Sequence, residues 1–129
     1  SSEVAGVNIQ VQFTPHLVPM VRGLLSTVYG RLRDPGLTAE DCMTVLETFY
    51  RNQPNIGVLP VGTYPATKWV RQTNKAIFSV QVDSRTGRIV LMSAVDNLIK
   101  GQAGQGIQNL NIMAGIPPET GLPLEPYYP

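Results

Sequence analysis

The chain has 129 residues, of which 43% are hydrophobic and 15% are charged, a composition typical of a globular protein. Its formal net charge is +1 and it has no run of lysines or arginines, which argues against a surface for nucleic acid or acidic membranes. The single cysteine excludes an internal disulfide and a cysteine-based metal site. No stretch predicts a membrane span or a signal peptide, so we expect a cytoplasmic protein, with residues 1–129 forming a single domain.

The amino-terminal part of the chain predicts two strands separated by a proline-rich loop. Apolar residues at every second position from Val7 to Phe13 predict a strand with one face in water. Two prolines make residues 14–19 irregular, because each removes a backbone donor and disfavours helix in the preceding residue. A second strand is predicted over residues 24–32, and a turn at residues 34–36 ends it.

The clearest helix signal follows this turn. Thr38 is a good amino-terminal cap, and Asp41 stands three residues later, where it can bond back and favours the helix dipole. Apolar residues at helical spacing then form one stripe, which residues 52–54 end. The members of the stripe are Ala39, Cys42, Met43, Leu46, Phe49 and Tyr50. Because Cys42 belongs to the stripe, we expect a buried core thiol rather than a reactive one.

The second half of the chain predicts a hairpin flanked by shorter elements. Residues 56–59 predict a short strand and residues 60–73 a loop, and a hairpin follows with arms at 76–82 and 88–95. Its second arm is apolar on both faces over residues 89–92, as expected of a central strand that is covered twice.

A last helix closes the predicted fold. Asp96 or Asn97 is a suitable cap for it, and Gly115 suits its carboxy-terminal stop. The order of elements predicts an α+β fold, with a mixed, largely antiparallel sheet and helices on one face.

The last helix is the first segment that could bind a ligand. Gly101, Gly104 and Gly106 each cost about 1 kcal/mol of helix stability relative to alanine, which indicates that something approaches the backbone closely. The N–H groups near residues 97–99, with Lys100 beside them, could receive a phosphate. Tight helix packing without a ligand is the alternative, and the spacing alone favours it because it matches no phosphate-binding loop.

Two loops are further candidates. The proline-framed loop carries His16, the only histidine of the chain, and Arg22, which could clamp a carboxylate or phosphate with two parallel hydrogen bonds. A lone histidine is more often structural. Residues 65–74 combine hydroxyl, amide and cationic donors, including Thr67 and Asn74, which suits an acidic small molecule. An exposed loop with a chance basic pair is the alternative there. No metal-ligand spacing is present in the sequence, so no metal site is expected.

Three segments, in this order and spacing, carry a resemblance to a known family. They are residues 13–23 (Phe-Thr-Pro-His-Leu-Val-Pro-Met-Val-Arg-Gly), residues 58–60 with 65–67, and residues 96–105 (Asp-Asn-Leu-Ile-Lys-Gly-Gln-Ala-Gly-Gln). With residues 109–115 and 120–122 they make the chain resemble the carboxy-terminal part of the N-acetyl-γ-glutamyl-phosphate reductases. That family is similar in architecture to aspartate-semialdehyde dehydrogenase, so the resemblance implies a glyceraldehyde-3-phosphate dehydrogenase-like carboxy-terminal domain.

The resemblance also implies a chemistry, most of which would reside outside this chain. Such enzymes reduce an acyl phosphate to an aldehyde with NADPH in arginine biosynthesis, by way of a cysteine thiolate and a histidine that handles the proton. The family motifs for that cysteine, that histidine and the nucleotide-binding loop are absent here, and Cys42 lies in the wrong context. We therefore expect no catalytic residue in this chain, and a partner in the enzyme's own amino-terminal nucleotide-binding domain.

Roles for particular residues follow from the same resemblance. It implies that His16 and Arg22 border the substrate pocket, and that Asn97, Lys100 and Gly101 lie near the NADP cofactor. Thr67 and Asn74 are assigned to the substrate from the composition of their loop, which departs from the family pattern at residues 66–67 and 72–74. It also implies a homo-oligomer in which the broad sheet packs against its copy. The alternative is a free-standing module that binds an acidic metabolite or another subunit without catalysis.

Overall fold

The computed structural model describes the backbone of residues 2–4 and 7–126 and the side chains of residues 10–126. Strands β1 (Ser2–Val4) and β2 (Val7–Ile9) form an antiparallel pair. The strand predicted over residues 7–13 therefore ends at Ile9, because no described strand pairs with the residues that follow. Val11 and Phe13 are 73% and 83% exposed, so the predicted half-buried face is wrong for them. For Val7 and Ile9 that prediction lies outside the described side chains.

Four strands form the main sheet, in the order β3–β6–β5–β4. They are β3 (Leu24–Arg31), β4 (Ile56–Val58), β5 (Ala76–Asp83) and β6 (Arg88–Val95). β4 runs parallel to β5, and the other two pairs are antiparallel. The predicted hairpin and the mixed, largely antiparallel sheet of an α+β fold are confirmed.

Helix α1 (Ala39–Tyr50) begins and ends where the sequence predicts. The Asp41 backbone donates to Thr38 Oγ1 at 3.1 Å, and the Thr38 backbone donates to the Asp41 carboxylate at 2.9 Å. The bonds that this carboxylate accepts from the Thr38 backbone and from the Thr38 hydroxyl lower the pKa of Asp41. The helix packs against β4 and β5, where the Tyr50 and Phe78 rings stack with their centroids 5.7 Å apart.

The apolar stripe of α1 is less buried than predicted. Cys42 is only half-buried and Phe49 is 76% exposed, because the helix packs on the β4–β5 half of the sheet. Cys42 is therefore less buried than we expect of a core thiol. Partial burial, followed by the nearby Asp41 carboxylate, still raises the pKa of Cys42, which makes the thiolate less available.

A buried apolar cluster lies on the opposite face of the sheet, beneath the loop before β5. Val70 of this loop packs on Ile77 of β5 and Ala94 of β6, and all three are nearly inaccessible to solvent. β6 is central in the strand order, yet residues 89–92 are only half-buried. The prediction that β6 is covered on both faces is thus only partly met, because neither α1 nor the loop before β5 extends over β3.

The last helix begins with a π-helical turn, Ile99–Ala103, and continues as α2, Gly104–Met113. Gly115 follows with φ at +71°, which confirms the predicted stop. Within the described residues, no helix has the length and hydrophobicity needed to cross a membrane.

Candidate functional site

A buried carboxylate connects three segments at the end of β6. Asp96 accepts hydrogen bonds from Arg22 Nε at 2.7 Å and Arg22 Nη2 at 3.2 Å. It also accepts from the backbone N–H of Gln72 at 2.6 Å. Its side chain is fully buried, whereas 22% of the Arg22 side chain is exposed. The proline-framed loop and the loop before β5 are thus held to the start of the last helix.

The same carboxylate caps the last helix, as the sequence predicts. Its Oδ1 accepts from the backbone N–H groups of Leu98 and Ile99, each at 2.9 Å. The prediction that N–H groups in this turn are free for a phosphate is wrong for these two, because Asp96 is an anion already in place. Burial alone would raise the pKa of Asp96, but the bonds from Arg22, Gln72, Ile99 and Leu98 together lower it.

The loop before β5 is shaped by local bonds. The Thr73 hydroxyl donates to the Val70 carbonyl at 2.8 Å and accepts from the Lys75 backbone N–H at 3.1 Å. Gln72 has a φ of +63°, the only left-handed value at a non-glycine residue in the described part of the chain. That conformation is uncommon for glutamine. The hydrogen bond from its backbone N–H to Asp96 offsets the free-energy cost of the conformation.

Close packing joins the proline-framed loop to the predicted site residues. The Gly23 backbone N–H donates to Asn97 Oδ1 at 2.8 Å. Gly23 has a φ of +114°, and a Cβ there would lie 2.7 Å from the Thr67 Cβ, so only glycine fits. Thr67 also donates weakly to the Met20 sulfur at 3.8 Å. Arg22, Thr67 and Asn97, assigned separately from the sequence, therefore lie in one cluster.

A second cluster joins Asn74 to Lys100 through Gln108. Lys100 Nζ donates to Gln108 Oε1 at 2.7 Å, and Asn74 Nδ2 donates to the same oxygen at 3.0 Å. The ammonium group can only donate, so it fixes the orientation of the Gln108 amide, which in turn fixes that of Asn74. Lys100 is half-buried and burial lowers its pKa. Among the described residues no carboxylate forms an ion pair with it.

The glycines of the last helix differ in how closely they are packed. A Cβ at Gly104 would overlap Asn74 Oδ1 and lie 2.8 Å from the Ile99 carbonyl oxygen. At Gly101 the nearest atom would be the Asp96 carbonyl oxygen at 3.3 Å, and at Gly106 nothing lies within 4 Å. Close packing therefore explains Gly104. Gly101 is exposed, and its backbone N–H is bonded to the Asp96 carbonyl at 2.8 Å.

His16 lies apart from both clusters. Its side chain is exposed, and Nδ1 is 3.2 Å from the backbone carbonyl oxygen of Thr14 two residues earlier. The large apolar residues around it are exposed as well; they are Phe13, Leu17, Val18, Met20 and Val21. Within the described residues, His16 forms no hydrogen bond with the other predicted site residues.

The sequence does not identify the two residues that hold each cluster together. It indicates only a helix cap at Asp96, and it gives no signal at Gln108. Their shared property is a long-range polar contact, 74 residues in the case of Asp96 with Arg22 and 34 in the case of Gln108 with Asn74. A single sequence contains no signal for such pairing. The described residues contain no cluster of three or more histidine, cysteine, aspartate or glutamate side chains able to hold a metal ion.

Comparison with solved structures shows the fold. The chain is similar to the crystal structure of aspartate semialdehyde dehydrogenase II complexed with ASA from Vibrio cholerae, with a TM-score of 0.61 and 24% sequence identity. The match covers 76% of this chain and 29% of that one. It places the mixed sheet and its helices in the architecture that the sequence resemblance implied.

Comparison with curated proteins gives much higher identity. The chain is 75% identical over 127 residues to the N-acetyl-gamma-glutamyl-phosphate reductase of Parasynechococcus marenigrum (strain WH8102). It is 74% identical over 129 residues to that of Prochlorococcus marinus (strain MIT 9313). These matches cover 98% and 100% of the chain, but only 36% of either relative. The chain thus spans about a third of the length of the curated relatives it matches.

A family model for the semialdehyde dehydrogenase dimerisation domain matches residues 1–97. The matched region includes the main sheet, α1 and both loops of the candidate site, and it ends at Asn97, beside the buried carboxylate. The chain therefore belongs to the family of semialdehyde dehydrogenase dimerisation domains.

Proposed function

We propose that residues 1–129 form the single substrate-binding and dimerisation domain of an NADPH-dependent N-acetyl-γ-glutamyl-phosphate reductase in arginine biosynthesis. The observation that carries this proposal is the 74% or greater identity, over nearly the whole chain, to relatives of that name. The reaction converts the acyl phosphate to the semialdehyde with release of phosphate. The rest of such an enzyme supplies the catalytic cysteine and the nucleotide-binding domain, and the setting is cytoplasmic.

The geometry of the first cluster supports a substrate role. The proposed substrate carries a carboxylate and a phosphate, so its pocket needs cationic and hydrogen-bonding groups. Arg22 and Thr67 are brought together by the packing of Gly23. Asn74, which we also propose for the substrate, is hydrogen-bonded to Gln108 in the second cluster. His16 remains a candidate on the adjoining exposed loop.

The second cluster fits a place near the NADP cofactor. Lys100 offers a half-buried ammonium group with no carboxylate partner among the described residues, and the exposed Gly101 has no side chain to obstruct a ligand. Asn97 Nδ2 remains available to donate, since Gly23 occupies only Oδ1. NADPH supplies the hydride for the reduction. In this proposal Asn97, Lys100 and Gly101 orient its nicotinamide end and exclude water from it.

Exposed apolar surface supports self-association and contact with the amino-terminal domain. Leu25 and Tyr29 of β3 are 55% and 70% exposed on the sheet face opposite α1. An apolar strand in water is costly, and packing against a second copy removes it from water. The description of the matching family as a dimerisation domain agrees with this arrangement.

A chimaera tests the proposal. This chain replaces the matching 127 residues of the Parasynechococcus marenigrum relative, and NADPH oxidation is followed with N-acetyl-γ-glutamyl phosphate. We expect a dimeric or larger assembly with activity close to that of the unmodified relative. A soluble, folded chimaera without reductase activity would contradict the proposal and favour a non-catalytic binding module. The chain alone is expected to be inactive.

A further inference from the structure

The guanidinium group of Arg22 has one occupied edge and one free edge. Its Nε and Nη2 atoms donate to the two Asp96 oxygens at 2.7 and 3.2 Å. Its Nη1 atom has no hydrogen-bond partner among the described residues, and part of the side chain is exposed. A guanidinium group held side-on by one carboxylate can still bind a second oxyanion end-on, through Nη1 and Nη2.

The Asp96 carboxylate is itself held rigidly. Its Oδ1 accepts from Leu98 and Ile99, and its Oδ2 accepts from the Gln72 backbone at 2.6 Å. These backbone donors belong to the loop before β5 and to the last helix. The direction of the Arg22 guanidinium is therefore fixed relative to both of the elements that bear the proposed site residues.

From this arrangement we infer that Asp96 is a positioning residue: it holds Arg22 so that the free guanidinium edge binds an oxyanion of the acyl-phosphate substrate. The inference rests on the proposed function, and it adds a residue that acts through Arg22 and does not itself touch substrate.

A neutral amide cannot replace Asp96. Five N–H donors converge on the two carboxylate oxygens, three on Oδ1 and two on Oδ2. Asparagine has one acceptor oxygen, so its amide nitrogen would face at least two of these donors in either orientation. The Arg22 side chain would then lose its fixed direction.

The test uses kinetics of the active chimaera. For Asp96→Asn we expect the KM for N-acetyl-γ-glutamyl phosphate to rise about tenfold, which is the scale of one charge-assisted hydrogen bond. The KM for NADPH and kcat should change less than about twofold, since the ligand contact that is weakened is the one between Arg22 and the substrate. Asp83→Asn, which breaks the exposed pair with Arg85, is the matched control and should leave all three unchanged.

Coupling between the two residues distinguishes positioning from a structural effect. Arg22→Gln should raise the same KM, and the double variant should be no worse than Arg22→Gln alone, because Asp96 acts through Arg22. A lowered melting temperature with an unchanged substrate KM in Asp96→Asn would overturn the inference. If that variant does not fold, an unchanged KM in Arg22→Gln overturns it, and a raised KM in both Arg22→Gln and Asp96→Glu supports it. Inactivity of the unsubstituted chimaera is a separate outcome, which contradicts the proposed function.

Discussion

The region around Asp96 and the region around β3 reverse the usual distribution of polar and apolar groups. Near Asp96, the polar side chains of Thr73, Asn74 and Asp96 itself are fully buried. On β3 and the preceding loop, large apolar side chains are exposed, among them Tyr29 at 70% and Val21 at 94%. Buried polar groups are stable where they are hydrogen-bonded, whereas exposed apolar patches indicate a missing neighbour. In the first region Asp96 and Thr73 find their partners within the chain, although Asn74 Oδ1 has none among the described residues. The second region needs another surface.

The largest expected effect is in the region around Asp96. Asp96→Asn should lower the free energy of unfolding of the chain by about 3 kcal/mol, because it breaks a buried ion pair and opposes several donors. Urea unfolding monitored by circular dichroism measures this difference. Asp83→Asn is the control, and its solvent-screened pair with Arg85 should contribute little to stability. Equal losses in the two variants would mean that burial adds nothing to the contribution of the Asp96–Arg22 pair.

The same pair gives a pH dependence with a definite sign. The pKa of Asp96 is lowered in the folded chain, so its ionised form favours folding above the unfolded pKa of about 4. This stabilisation is lost as the pH falls through the folded pKa. The stability difference between the parent chain and Asp96→Asn should therefore be constant near neutrality and narrow below about pH 4. A stability difference that increases on acidification would contradict the assigned role of the Asp96 carboxylate.

Next in size is the effect of packing at Gly104. Gly104→Ala should cost about 2 kcal/mol, because the added methyl overlaps Asn74 Oδ1 and approaches the Ile99 carbonyl. Gly106→Ala, two residues further along the same helix, meets no atom within 4 Å and should stabilise the chain by up to about 1 kcal/mol. Thermal unfolding of both variants compares them. Stabilisation by Gly104→Ala would show that the last helix is not tied to the loop through Asn74.

A smaller effect is expected at the start of α1. Thr38→Ala removes the cap bonded to the Asp41 backbone and should cost about 1 kcal/mol. Thr44→Ala is the matched control, since the Thr44 hydroxyl only bonds back to the Glu40 carbonyl within the helix. That substitution should be neutral or slightly stabilising in chemical denaturation. A reversed order would mean that the cap contributes nothing to the stability of the chain.

A substitution in β3 should have the smallest effect on folding. Its main effect should be on the association of subunits. Tyr29→Thr should change the unfolding free energy of the chain by less than about 0.5 kcal/mol, because the side chain is exposed. In the chimaera it should weaken the dimer, as judged by sedimentation equilibrium. Val45→Thr on α1, at 67% exposure, is the control and should leave the dimer intact. If both behave alike, β3 is not part of the subunit contact.

The elements of the fold were predictable where the signal is local. The Thr38–Asp41 capping box fixed the start of α1, and the turn at residues 83–87 fixed the hairpin. The burial of side chains was not predictable, because it depends on which elements pack against each other. Val11 and Phe13 have the alternation of a half-buried strand but no described surface to cover them. Phe49 has the helical spacing of a buried stripe, yet it is 76% exposed.

The candidate site was predictable in its residue types but not in its connections. Arg22, Asn97 and Lys100 were identified as hydrogen-bonding or cationic residues in suitable loops, and the structure places each in one of two clusters. Asp96 and Gln108, each of which holds one of these clusters together, pair with residues far away in sequence. Such pairs arise only after the loop before β5 has folded against the last helix.

Amide hydrogen exchange, compared between the chain alone and the active chimaera, tests the central contrast most directly. The account predicts that β5, β6 and the Gln72 amide are protected in both, because the chain completes that region itself. The amides at the exposed edge of β3 and in residues 10–23 should become protected only in the chimaera. Equal protection of β3 and residues 10–23 in both proteins would contradict the account, since it would mean that no external surface completes this side of the chain.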